Sequence, residues 1–272
     1  MDYRRYLERA IDIFNEKLDA GFSIENILLG YLTLDNEKQK FVRFCSEHFP
    51  RRLKDRYEDE GYFDFYAIAF VAEDSGGTDG ILLHTDIPYT HASLLHVLLH
   101  ELAHLYCLHN ELDGASFYDT YCDGYADSSF EDGQINAGYE VWRKCIAEII
   151  ARELDDNWDI PPLRKKKQIL AQLRQELLPI SGKLAMSQIL VEVITSSEVE
   201  MTRDWETAKK HIEKLHLFDL PAELALIELI FKQLRGPCIS IGIDFISEIG
   251  FLYLETVAMN LQKCLSEKPG EK

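Results

Sequence analysis

The chain has 272 residues, 46% of them hydrophobic, enough for a packed core in one large domain or two smaller ones. Its formal net charge of -18 repels phosphate backbones, and the one basic run, Arg164 to Lys167, reads as a solvated helix face, so nucleic acid is not an expected partner. Six cysteines (Cys45, Cys107, Cys122, Cys145, Cys238, Cys264) without a CxxC pair fit reduced thiols in a cytoplasmic protein better than a disulfide framework or a zinc ribbon.

Tyr3, Leu7, Ala10, Phe14 and Leu18 recur at offsets of four and three, which predicts an amphipathic helix over the first twenty residues; the N-terminus lacks the apolar run of a signal peptide. Ile24 to Leu34 and Glu37 to Phe49 read as further helix, ending at Pro50. This defines an N-terminal helical segment, 1–57, that carries no visible chemistry, with Cys45 and His48 as structural or surface residues.

The pattern changes at Tyr62. Tyr62 to Val71 is aromatic and β-branched, a turn-rich stretch follows at Asp74 to Gly80, and Ile81 to Ile87 is apolar again, so two short strands joined by a loop are expected. A strand edge here would offer unpaired N–H and C=O groups to an extended peptide. Next comes Thr90 to Cys107, an apolar run free of Pro and Gly that predicts one helix with Thr90 as its N-cap. It contains His100-Glu101-Leu102-Ala103-His104. At 3.6 residues per turn the two histidines share a face and can reach one metal ion, with Glu101 beside them. Zinc takes nitrogen, sulfur and carboxylate ligands in a tetrahedron, so two histidines and a third protein ligand leave one position for water, and Glu101 would take that water's proton. Six of the nine histidines (His84, His91, His96, His100, His104, His109) fall in this neighbourhood. The plainer alternative is a half-buried helix with two histidines on its rim.

Glu111 to Ala137 is polar and aperiodic and reads as a long loop, a candidate wall or lid. A helix is expected from Gly138 to Ala151, with Val141, Cys145, Ile149, Trp142 and Ile146 on its apolar face; Glu148 on this helix is the expected third ligand. The metal-binding region then spans 58–157. Asp155-Asp156-Asn157 and Pro161-Pro162 mark its end, and 158–272 reads as an all-helical subdomain in which His211 and His216 are surface or capping residues. Its most hydrophobic segment, Cys238 to Leu261, carries Asp244, Glu248 and Glu255 as an acidic stripe, the mark of a core helix and not of a membrane span. The expected fold class is therefore α+β, mostly α: a region with a short β-sheet followed by a helical C-terminal subdomain.

The motif at His100 to His104 resembles that of the zincin metallopeptidases. The metzincin extension would need Gly at 107 and His at 110, where this chain has Cys107 and Asn110. The gluzincin branch, whose ligand Glu lies on a later helix, suits the Glu140 to Glu148 segment, and the cytoplasmic setting with the "IAEIIA" helix is loosely similar to the bacterial ImmA/IrrE group of regulatory metallopeptidases. The resemblance implies zinc (Zn2+) held by His100, His104 and Glu148, Glu101 as general base, and a peptide or protein substrate. Gluzincins commonly place an Asp or Asn four residues after the ligand Glu, to bond a zinc-bound histidine; here Arg152 follows Glu148 and Lys144 follows Glu140. If Glu148 plays that bonding role instead, the ligand position falls on Lys144, and Glu140, Asp123 or Asp127 would have to supply the oxygen. His96, His109, Tyr106 and Tyr125 are candidate oxyanion donors that read equally as packing residues. The rival to the peptidase is a non-catalytic regulatory or interaction protein on a degenerate zincin scaffold.

Overall fold

The structure is a computed structural model that describes residues 1–54, 57–58, 62–72, 77–113, 129–158, 160–177, 182–236 and 241–266. It is mostly helical, with one three-stranded sheet. The chain divides into two compact units: Met1–His109 with Ile150–Trp158, and Asn110–Ile149 with Asp159–Lys272.

The first unit opens with α1 (Tyr3–Leu18), capped by Asp2, whose carboxylate accepts from the Arg5 N–H at 3.2 Å. Its apolar face, Leu7, Ala10, Ile11 and Phe14, is buried, and it packs on α3 (His91–His109). Between them lie β1 (Ile27–Leu32), α2 (Glu37–His48), β2 (Ala67–Phe70) and β3 (Asp79–His84). The strand order is β1-β3-β2. β1 runs parallel to β3 from Ile27 opposite Asp79 to Leu32 opposite His84, and β2 runs antiparallel from Ala67 opposite Leu83 to Phe70 opposite Gly80. A parallel pair needs a long crossover, and α2 lies within it.

This corrects the expected helix over Ile24 to Leu34: after one 3-10 turn at Ile24–Asn26, the chain extends as β1. Six apolar residues are too few to distinguish the two periods, and pairing with β3 decides. All six β3 residues are buried, as a central strand covered on both faces must be. One cover is aromatic: Phe41, Phe49 and Phe70 are fully buried with Leu32, Cys45 and Leu82, and Tyr62, Phe63 and Phe65 pack against them. Gly30 and Gly80 let the rings of Phe44 and Phe49 sit on the sheet; a Cβ at Gly80 would stand 2.6 Å from the Phe49 ring.

The second unit is helical: most of α4 (Phe130–Leu154), then α5 (Leu163–Gln175), α6 (Gly182–Ile194), the short α7 (Ser197–Glu200), α8 (Trp205–Glu213), α9 (Pro221–Leu234) and α10 (Ile243–Ser266). α4 begins at Phe130, so the stretch from there to Ala137, expected as loop, is helix; residues 111–113 are turn and bend, and 114–128 lie outside the described residues. The cause is tertiary. α4 crosses α10 where Gly138 faces Gly250, and Gln134 Nε2 donates to the Ser247 carbonyl at 2.9 Å and to its hydroxyl at 2.7 Å. On α10 the acidic residues Asp244, Glu248 and Glu255 are exposed while Ile246, Ile249, Tyr253 and Val257 are buried, as its pattern predicts. Among the described residues no helix is long and apolar enough to cross a membrane. The basic run on α5 is only partly solvated: Arg164, Lys165 and Lys167 are exposed, but Lys166 is buried and paired with Glu192 at 3.0 Å.

Candidate metal centre

The motif helix starts as its sequence predicts. The Ser93 N–H donates to Thr90 Oγ1 at 3.1 Å and the Thr90 N–H donates to Ser93 Oγ at 2.9 Å, a reciprocal cap that satisfies two helix-end donors. From there α3 runs unbroken to His109, with Leu94, Leu95, Leu98, Leu99, Leu102 and Leu105 buried.

His100 and His104 are half-buried, with ring centroids 4.8 Å apart and planes at 88°. Two imidazoles bound to one tetrahedral zinc through nitrogens at about 2.0–2.1 Å have centroids about 5 Å apart, close to this separation. Glu101 is 6% exposed, a carboxylate set among leucines.

The other four histidines of the neighbourhood have other surroundings. His91 stacks on Tyr6 at 5.6 Å and bonds its hydroxyl. His96 Nδ1 lies 3.2 Å from Asp155 Oδ2, and its ring stacks on Trp158 at 4.6 Å. His109 Nε2 lies 2.7 Å from Asp79 Oδ2, tying the end of α3 to the start of β3. His84, at the end of β3, is fully buried; neither ring nitrogen has a hydrogen-bond partner, and Nδ1 stands 3.7 Å from Asp86 Oδ1. Tyr106 packs on Phe14 with centroids 6.0 Å apart. Asp123, Asp127 and Tyr125 lie outside the described residues.

Glu148 is on α4 in the second unit, half-buried, on a helix whose apolar face (Val141, Trp142, Cys145, Ile146, Ile149) is buried as expected. Glu140, two turns earlier, is 3.4 Å from Arg143 Nη2. Burial opposes its ionisation, but Arg143, Lys144 and Lys183 outweigh burial and hold its carboxyl below the usual range, so its charge is already engaged. Among the described residues, no group of three or more His, Cys, Asp and Glu side chains is assembled to hold a metal ion.

One residue near the motif escaped the sequence reading. Tyr89, just before the cap, donates its hydroxyl to the Tyr66 carbonyl at 3.1 Å, next to the start of β2. Burial, with negative neighbours that include Asp86 and Glu101, raises its phenol far above the ordinary range, so it stays a neutral donor. Its signal was an aromatic ring directly before an N-cap, a position that often folds back on the helix.

No protein-family model, curated protein or solved structure matches the chain.

Proposed function

We propose that the chain is a cytoplasmic, zinc-dependent metallopeptidase whose zincin-like region is built on α3. The observation that carries this reading is the His100 and His104 ring pair at 4.8 Å with the buried Glu101 beside it. His100 and His104 would hold the ion through imidazole nitrogens, with Glu148 as the third ligand; two nitrogens and one oxygen are a donor set that suits zinc. Zinc, when bound, supplies a Lewis acid for the scissile carbonyl and lowers the pKa of water. Glu101 would accept a proton from the attacking water and return it to the leaving amine. An extended peptide adds to the outer edge of β2, the edge strand that packs on α3. Nucleic acid is a poor partner for a chain of net charge -18.

A second reading, a regulatory protein without catalysis, is favoured by Lys144. Its half-buried ammonium stands one turn before Glu148 on the same helix face, where positive charge opposes cation binding. The test is metal analysis of protein purified without added metal, together with Glu101→Gln. About one zinc per chain, lost in a His100→Ala, His104→Ala double variant, and a fall in peptide hydrolysis of about 10² to 10⁴-fold in Glu101→Gln with zinc retained are expected. Zinc content indifferent to the two histidines would end the peptidase reading; zinc present with no hydrolysis of any peptide would favour the regulatory one.

A further inference from the structure

In a chain whose net charge is -18, one group of basic side chains in the second unit stands out. On α4, Glu140, Arg143 and Lys144 are spaced three and four apart and share a face. α6 is docked beside them by Ser187, whose hydroxyl donates to the Val141 carbonyl at 3.0 Å. Lys183, one turn before Ser187, is thereby brought to the same place, and Glu140 and Lys144 both feel its charge. Three cations therefore meet two acids, Glu140 and the fully buried Asp113, whose field reaches Arg143.

The two acids engage Arg143 first. Its Nη2 is 3.4 Å from Glu140, its guanidinium lies 5.8 Å from the centre of the Tyr139 ring, and its Nε is buried without a hydrogen-bond partner. No hydrogen bond or ion pair closes on the ammonium groups of Lys144 or Lys183 among the described residues, although both side chains are half-buried. The plain alternative is that the lysines only offset Glu140, but one carboxylate already paired with Arg143 does not need two more cations. The Arg143 Nε is the buried donor left unsatisfied, and such a donor is costly unless a ligand completes it.

We propose that Arg143, Lys144 and Lys183 form a binding site for a small oxyanion, a carboxylate or a phosphate group. The donors are the orphaned Arg143 Nε and two ammonium groups with three protons each; the acceptors are the two or three oxygens of the anion. Burial and the like charges of Arg143 and Lys183 press the Lys144 ammonium toward its neutral form, and a bound anion relieves both.

The test is calorimetric titration of the full chain, at constant ionic strength, with inorganic phosphate and separately with acetyl-alanine carboxylate, its amide serving as control. One or both anions should bind one to one with Kd of about 1 mM or tighter. Lys144→Gln with Lys183→Gln should weaken that binding at least about tenfold, with the circular dichroism unchanged. Lys183→Gln alone, on a different helix, should weaken it measurably and decides the matter should the double variant fail to fold. Binding of phosphate alone assigns a phosphoryl ligand, and binding of the carboxylate alone assigns an acid or a peptide C-terminus; either supports the site. No heat from either anion in the wild type, or an affinity the lysine variants leave unchanged, overturns it. Because binding is read, and not hydrolysis, the result is independent of the peptidase reading.

Discussion

The two units differ in where their buried polar groups lie along the chain. In the first, beside the contacts of His96 with Asp155 and His109 with Asp79, three polar residues fall within five consecutive positions of one helix: His100, Glu101 and His104 are placed by the period of α3. In the second, buried charges are matched across long separations. Lys166 meets Glu192, 26 residues on, and Arg174 meets Glu223, 49 residues on. A buried ion pair largely offsets its own desolvation and holds two helices in one register. Lys144 and Lys183 break the second unit's rule of matched charges.

The glycines give the largest test of this contrast. A Cβ at Gly138 would stand 1.9 Å from the Ile246 carbonyl oxygen and 2.8 Å from the Gly250 nitrogen, both backbone atoms. Helix propensity alone predicts that Gly138→Ala gains about 1 kcal/mol; the crossing of α4 on α10 predicts a loss of about 3 kcal/mol or more, since overpacking against backbone has no cheap relaxation. In the first unit a Cβ at Gly30 would meet only side chains, Leu82 at 2.6 Å and Phe44 at 2.8 Å, which can turn. Gly30→Ala should therefore cost less, about 1 kcal/mol. Denaturant melts of both variants measure this, and equal losses would show that the helical unit is no more tightly specified than the sheet.

These glycines also show what the sequence could and could not disclose. The motif, the Thr90 cap and the buried face of α3 were legible because each is local: the residues that define them lie within two turns of one another. β1 was misread because Ile27 to Leu32 suits either period, and its partner, Asp79 to His84, lies some fifty residues on. The first two turns of α4 contain Asp132, Gly133 and Asn136, poor helix formers that looked like loop until Gly250 and Ser247 on α10 supplied the partner surface. Lys166 looked solvated because nothing in its neighbourhood announces Glu192. What a residue does locally was readable; which distant residue completes it was not.

A smaller effect separates matched from mismatched charge by pH. Glu223, in the first turn of α9, is fully buried; Oε1 accepts from Arg174 Nε at 2.9 Å, and Oε2 has no partner. Burial raises its pKa from 4.5 to about 7, against the pull of Arg174. The folded state therefore holds a proton that the unfolded state releases, so the stability this group contributes is complete below about pH 4.5 and is lost as the pH rises through about 7. At about 1.4 kcal/mol per pKa unit, the wild type should lose roughly 2 to 3 kcal/mol relative to Glu223→Gln across that window. Parallel stability curves would mean that Arg174 fully compensates the carboxylate.

Lys144→Gln should have the smallest effect, and its sign is what matters. Burial is the main cause lowering the pKa of this ammonium, Arg143 and Lys183 add to it, and Glu140 opposes them without prevailing. The charged form is thus disfavoured in the folded protein: the unfolded state binds the proton more tightly, and stability rises as the pH climbs from the folded pKa toward 10.5. At neutral pH, removing the charge should raise stability by a modest amount, on the order of 0.5 kcal/mol, with the gap to wild type closing as the solution becomes alkaline. Lys166→Gln, which strips the buried partner from Glu192, should do the reverse and destabilise. An anion that binds the wild type in preference to the variant should erase the gain, because ligand binding adds its own free energy to the folded state. Denaturant midpoints at two pH values, with and without phosphate, read all three effects. Should Lys144→Gln lower stability as Lys166→Gln does, its ammonium is a matched charge like the others, and the contrast between charges that hold the fold and charges that await a ligand would fail within the second unit.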